Sequence, residues 1–271
     1  MSKKRQRLEQ LLVERGIFET LDQANRLIKA GQVFVNQEVA DKPGMSYPLD
    51  VDVLVKRPEH PYVSRGGIKL EKALSIFDLS IENRIVLDIG ASTGGFTDCA
   101  LQHGANYVYA VDVGYGQLAW KLRQDERVVI LERTNFRYLS AEQLAVGQPD
   151  IATIDVSFIS LRQILPNLLQ LLAEPGDIIA LIKPQFEAEK NQVGNKGIIS
   201  DPKVHLQVLQ RIYQVVMDYD LIPLDFIPSP ILGGKGNIEF LGYFRKGLTK
   251  HSPFPLAQLS SIVEQAHQQK S

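Results

Sequence analysis

Cysteine is close to absent: Cys99 is the only one in 271 residues. A lone thiol excludes an intramolecular disulfide and suits a reducing compartment. Long apolar runs are missing as well. Nothing approaches the roughly 18 uninterrupted apolar residues of a membrane span, and "MSKKRQRLEQ" lacks the apolar core that a secretory signal needs. The expectation is a cytoplasmic chain with no membrane partner. The histidines (His60, His103, His205, His251 and His267) are scattered, so no metal site is expected. Tryptophan occurs once, and Trp120 is expected in the core.

Net charge is scarce too. It is −1 overall, with 44% hydrophobic and 23% charged residues, ordinary figures for a globular chain. The balance is uneven, however. Residues 1–35 hold Lys3, Lys4, Arg5, Arg7, Arg15, Arg26 and Lys29 against Glu9, Glu14, Glu19 and Asp22. That excess is either a solvated basic face or a surface for a polyanion.

The chain is long enough for one large domain and one small one. "RLEQLLVERGIF" places Leu8, Leu11 and Leu12 at helical spacing and stops at Gly16. "TLDQANRLIKAGQ" repeats the plan, with Thr20 as N-cap, Ala24, Leu27 and Ile28 inside, and Gly31 at the close. "QVFVNQEV" alternates like a strand, "DKPG" turns, and "DVDVLV" reads as a further strand. The spacing predicts a small α+β module over 1–60 and a linker over 61–67, in the Pro- and Gly-rich stretch behind it.

From 68 to 247 the rhythm changes. "RIVLDIG", "YVYAVDVG", "VVILER", "DIATIDVSF" and "DIIALIKP" are continuous apolar runs separated by helical patterns, as in a parallel sheet covered on both faces. "LIPLDFIPSPILGGKGNIEFLGYFRK" holds two strands with no helix between them. An antiparallel hairpin is therefore expected to finish a mostly parallel, Rossmann-like α/β sheet. Residues 248–271 are expected to form one helix and loose ends.

In such a sheet the ligand crevice lies outside the carboxyl ends of the strands. The first strand runs into Asp88 and then a loop holding Gly90, Ser92, Thr93, Gly94 and Gly95. Side chains this small let a ligand approach the loop amides and the following helix N-terminus, although a tight turn alone would also use them. Asp112 ends the second strand, 22 residues beyond Gly90, where a ribose-binding acid belongs. A dinucleotide wants G-x-G-x-x-G, whereas these glycines read G-x-x-x-G-G with an acid before the first. A cofactor carrying an amino group and no phosphate suits that acid better. This describes S-adenosyl-L-methionine better than NAD.

"LDIGASTGGFTD", "VDVG", "TNFR", "IDVSFISL", "LIKPQFE" and "GNIEFL", taken in order, resemble the TlyA family over nearly the whole chain. Proteins of that family are often labelled haemolysins. The resemblance implies a ribosomal RNA 2′-O-methyltransferase with an FtsJ-like, S-adenosylmethionine-dependent catalytic domain acting on a cytidine. "RLEQLLVERG", "QANRLIKAGQVFVN" and "KPG" resemble the RNA-binding domain of the ribosomal protein S-four type, departing at Thr20-Leu21 where Ser-Arg is usual. Arg5, Arg7, Arg15, Arg26 and Lys29 are then the expected RNA contacts, and ribosomal RNA or its subunits the partner. Asn135, in "TNFR" after the third strand, is expected at the adenine or ribose of the cofactor, or as a loop cap.

A ribose hydroxyl is a poor nucleophile near neutral pH, so something must take its proton or stabilise the emerging oxyanion. A lysine among carboxylates serves either need. FtsJ-type enzymes use a Lys-Asp-Lys-Glu set, and the resemblance assigns it to Lys69, Asp155, Lys183 and Glu239. Asp155 and Lys183 also stand at strand ends beside the crevice. Methylation of an exocyclic amine usually needs an Asp/Asn-Pro-Pro-aromatic turn, and "DVSF" has neither proline. Carbon methylation needs a nucleophilic cysteine, but Cys99 falls inside the helix after the glycine loop. Two other classes stand against the enzyme: a pore-forming haemolysin, which needs an inserting apolar segment, and a non-catalytic RNA-binding assembly factor, which would not bind the methyl donor.

Overall fold

Leu8, Leu11 and Leu12 are inward on a helix Leu8–Glu14, and Ala24 and Ile28 on a second, Leu21–Lys29. Both pack on Val33 and Val35 of a small sheet. This is a computed structural model. It describes residues 5–29, 31–55, 60–194 and 196–270 and divides into two units, Met1–Pro61 and Tyr62–Ser271. Lys3 and Lys4 of the basic segment lie outside the described residues. Thr20 caps as expected, its hydroxyl accepting from the Gln23 amide at 3.2 Å. The alternating stretch "QVFVNQEV" is not one strand but a hairpin, Val33–Val35 with Glu38–Val39. Asn36 (φ 50) and Gln37 (φ 70) are both left-handed, the geometry that lets a two-residue turn follow strand twist. A short strand Arg5–Arg7, not foreseen, pairs antiparallel with Ser46–Pro48.

Of the expected linker 61–67, Pro61 closes the first unit and residues 62–67 fall in the second. Tyr62 is buried, its ring occupies the space a Cβ on Gly67 would need, and the Val63 amide donates to Asp98 at 2.7 Å. The helix α1 (Gly66–Ile76) begins before the stretch has ended.

Among the described residues the second unit holds strands β1 (Ile85–Ile89), β2 (Tyr107–Val111), β3 (Val128–Leu131), β4 (Ile151–Ile154), β5 (Gly176–Ile182), β6 (Leu221–Pro228) and β7 (Phe240–Lys246). Their order is β6-β7-β5-β4-β1-β2-β3, parallel except where β7 runs antiparallel to both β5 and β6. Strand side chains alternate between faces. Val86, Val108, Ile151 and Ile179 therefore meet α1 and α2 (Gly95–Gln102) on one side. Leu87, Tyr109, Ala152 and Ile178 meet three other helices on the second side, α4 (Leu165–Leu171), α6 (Pro202–Asp218) and α7 (Leu259–Lys270). Burial on both faces is why these strands read as unbroken apolar runs. The expected C-terminal helix is present, and its Leu259, Val263 and Ala266 join that core.

Trp120 departs from expectation: it is 71% exposed. It opens the short helix α3 (Trp120–Arg123), whose inward position belongs to Leu122. Leu118 and Leu122 fill the space over Gly94, where a Cβ would meet Leu122 at 2.2 Å. Between α4 and α6 lies the single turn α5 (Pro184–Glu187). Among the described residues no helix is long and apolar enough to cross a membrane.

Candidate active site

Several strand ends meet along one edge. β1 leads into Gly90, β4 into Asp155 and β5 into Lys183. The β5–β7 register sets Ile182 opposite Phe240, so the residue before β7, Glu239, is delivered beside Lys183. Lys183 Nζ lies 2.6 Å from Asp155 Oδ1 and donates to Ser157 Oγ at 3.0 Å. Lys69 reaches in from α1, with Nζ 2.7 Å from Glu239 Oε2. The structure thus brings the four expected residues together as two lysine–carboxylate pairs. They differ in setting. The Lys69 and Glu239 side chains are 10% and 2% exposed, those of Lys183 and Asp155 11% and 23%.

α1 approaches this edge because of the glycines. A Cβ on Gly95 would stand 2.3 Å from Ser64 Oγ and 2.9 Å from the Gly67 amide. Gly90 (φ +88) crosses under the β4 exit, where a Cβ would meet the Asp155 carbonyl at 2.5 Å. Only glycine suits both demands. Much of the glycine loop therefore serves close approach of protein to protein. Gly94 in particular packs on Leu118 and Leu122 rather than lining a cavity.

Three cavities open at the edge. The first, about 320 Å³, is lined by Lys69, Gly90, Ser92, Thr93, Gly95, Asp155 and Lys183. The second, about 340 Å³, adds Asp112 and Asn135 to Gly90, Ser92 and Asp155, with Ile89, Val111, Phe136 and Ile164 as apolar walls. The third, about 860 Å³, is lined by Lys183, Glu239, Phe158, Phe186, Gln185 and Asn237. Asp112 spends its oxygens on the amides of Ser92 (2.8 Å) and Gly114 (2.6 Å), fixing the two loops that wall the second cavity. Asn135 Oδ1 caps the turn Phe136–Tyr138 by accepting from the Arg137 amide, as the loop-cap reading expects, and the residue also lines the second cavity.

Asp88 stands elsewhere. It is fully buried and accepts from Thr97 Oγ1 (2.6 Å) and Thr153 Oγ1 (3.0 Å), tying β1 to α2 and β4 beneath the loop instead of lining any of these cavities. Burial pushes its carboxyl up to about 7, against the two hydroxyl donors, which favour the charged form. An unfolded aspartate titrates near about 4. Between these values the folded state keeps a proton that the unfolded state has lost, so stability falls as pH rises and levels off above about 7. Asp88→Asn cannot titrate. Its unfolding free energy, read from urea titrations, is expected to gain on the parent from pH about 4 to 7, at most about 1.4 kcal/mol per pH unit. A constant difference across that range would show that Asp88 stays charged.

Sequence reading passed over three neighbours. Ser157 lines all three cavities. Phe158 is 90% exposed at φ +65, 4.9 Å from the Phe186 ring. Glu187 is buried and accepts from Ser160 Oγ (2.6 Å) and the Leu161 amide (2.8 Å). Each lies within a few residues of Asp155 or Lys183, in "DVSF" or "KPQFE", and an aromatic ring in a polar loop was the available signal. Near the two ends of the segment 187–199, Arg211 pairs with Glu189 (3.1 Å) and the Ile199 amide donates to Asn237 Oδ1 (3.0 Å).

In the small unit Arg7 pairs with Glu9 at 2.7 Å, and Arg15 donates to the carbonyls of Leu49 (2.7 Å) and Val51 (2.8 Å). Arg15 is thus a brace within its own unit. Arg5, Arg26 and Lys29 are exposed, the last two at i, i+3 on one helix. Among the described residues no cluster of His, Cys, Asp or Glu could hold a metal ion.

A family model described as FtsJ-like methyltransferase matches residues 62–246, and an S4 domain model matches residues 6–50. YqxC of Bacillus subtilis, provisionally named an rRNA methyltransferase, is 53% identical, covering 98% of this chain and 96% of its own. TlyA of Mycobacterium tuberculosis, named a 16S/23S rRNA (cytidine-2′-O)-methyltransferase, is 41% identical over 89% of this chain and 90% of its own. Among solved structures, a protein of Streptococcus thermophilus provisionally called a hemolysin superposes with a TM-score of 0.76 at 46% identity, covering 99% of this chain and 98% of its own. The chain therefore belongs to the FtsJ-like methyltransferase family, in the branch that sets an S4 domain before the methyltransferase domain and includes TlyA.

Proposed function

We propose that this chain transfers a methyl group from S-adenosylmethionine to the 2′-hydroxyl of a cytidine in ribosomal RNA. The observation that carries the reading is the Lys183–Asp155 pair, which stands where the two small cavities meet the large one. The residues present fit the cofactor. Among the described residues the second cavity is lined by two carboxylates, Asp112 and Asp155, and by no lysine or arginine. Such walls suit a cationic nucleoside and disfavour a pyrophosphate. Asp112 and Asn135 would hold its nucleoside part, with Gly90, Ser92, Thr93 and Gly95 along the loop. S-adenosylmethionine, when bound, supplies an electrophilic methyl.

What the chain itself must do is position a hydroxyl in line and manage one proton. Lys183 Nζ stands at the junction to accept that proton or to stabilise the oxygen as it becomes negative, and Asp155 aims it. Lys69 and Glu239 brace the other side. The third cavity, with Phe158 and Phe186 as apolar faces, has room for a nucleoside turned out of its stack. Arg5, Arg26 and Lys29 offer phosphate contacts on the S4 unit. Cytidine and the ribosomal target rest on the activity for which the Mycobacterium tuberculosis relative is named.

The test compares ribosomal RNA from cells with and without this chain, mapping ribose methylation by mass spectrometry of nuclease fragments. A 2′-O-methylcytidine that disappears with the chain is the expected result. Unchanged ribose methylation, or a methyl lost from a base instead, would refute the reading.

A further inference from the structure

We infer that Ser157 is a positioning residue for Lys183, an inference that rests on the function proposed above. An amine nitrogen on its carbon stem has three further directions. In this structure two of them are taken: one toward Asp155 Oδ1 at 2.6 Å, one toward Ser157 Oγ at 3.0 Å. The Phe186 ring stands farther off, its centroid 6.0 Å from Nζ, so the third direction is the one left for a substrate oxygen. A flexible four-carbon stem held by Asp155 alone would let the nitrogen swing about that single contact. A second, differently placed partner removes that freedom.

Ser157 is exposed, and one hydrogen bond from an exposed hydroxyl is a weak restraint by itself. Its loop is what makes it firm. At one end the Asp155 amide donates to the Ile89 carbonyl at 2.9 Å, binding the β4 exit to β1. At the other, the buried Glu187 carboxylate takes both Ser160 Oγ and the Leu161 amide. Glu187 lies four residues beyond Lys183. The β5 arm therefore grips the β4 loop twice, once through Lys183 and once through Glu187, and Ser157 is held between the grips. Its place on all three cavity walls puts it beside the reacting groups rather than behind them.

The experiment uses the full chain with ribosomal RNA and S-adenosylmethionine. Ser157→Ala is expected to lower kcat roughly 10- to 100-fold, with KM for both substrates held within about twofold, and Ser157→Thr, which keeps the hydroxyl, is expected to recover most of the rate. An unchanged kcat in the alanine variant overturns the inference. So does a rise in RNA KM at constant kcat, which would make Ser157 an RNA contact, and so does equal loss in both variants. A second measurement needs no turnover: acylation of Lys183 by acetic anhydride, followed by mass spectrometry, is expected to speed up several-fold in Ser157→Ala and not in Ser157→Thr. If the parent protein methylates no ribose, the function reading fails while this labelling still decides the Ser157 contact. Equal labelling rates in all three proteins sink it.

Discussion

Replacing Lys183 with alanine is expected to remove methyl transfer by roughly 10²–10⁴-fold, the range for losing a positioned acid–base group. Binding of S-adenosylmethionine, read by calorimetry, should stay within a few-fold, because most of the lining of the two small cavities is untouched. The fold should survive too. Asp155 loses its partner but keeps access to water, its side chain being 23% exposed. Lys183→Arg separates two chemical roles. A guanidinium stays charged and cannot take a proton, yet it can stabilise a developing oxyanion. Substantial activity in the arginine variant would assign Lys183 an electrostatic role, and inactivity would assign it the proton. Robust transfer by Lys183→Ala would remove it from the chemistry altogether.

The partner pair should behave differently because it is buried. Lys69→Ala leaves the Glu239 carboxylate without its ammonium at 2% exposure, and stranding such a charge costs about 3–5 kcal/mol. For a unit of this size the melting temperature should fall by roughly 10 °C. Gly233 cannot yield room for compensation, since its backbone presses on Glu239, as the 1.9 Å approach of a Cβ there to Oε1 shows. The double variant Lys69→Met, Glu239→Gln removes both charges while keeping volume. It should recover much of the stability, because a neutral pair needs no desolvated charge, yet regain no activity. Urea midpoints and turnover measured on the same samples separate the two effects. A double variant as unstable as Lys69→Ala would mean that packing, not charge, dominates there.

The candidate site was legible in part. Asp155 and Lys183 were assigned through resemblance to a family, with support from their places at the ends of continuous apolar runs, since strand ends border the crevice in any sheet of this kind. Lys69 and Glu239 were assigned through resemblance to a family. Asp88 was legible as an acid at a strand end but not as a buried strut, because whether a carboxylate faces a cavity or two threonines depends on rotamers and neighbours distant in the chain. Ser157 and Glu187 were passed over for the same reason: their partners lie 26 residues or more away.

By itself the amino-acid order determined the alternating pattern of the chain, and hence two units, a parallel sheet buried on both faces and a closing antiparallel pair. These follow from local periodicity and turn chemistry, which each segment carries within itself. Tertiary structure alone decided that β7 inserts between β5 and β6, setting Glu239 beside Lys183, and that Gly95 admits α1 so closely that Lys69 joins them. It also turned Trp120 outward, because Leu122 already filled the space over Gly94. Such outcomes depend on which surfaces compete for the same volume, and no single segment encodes that competition.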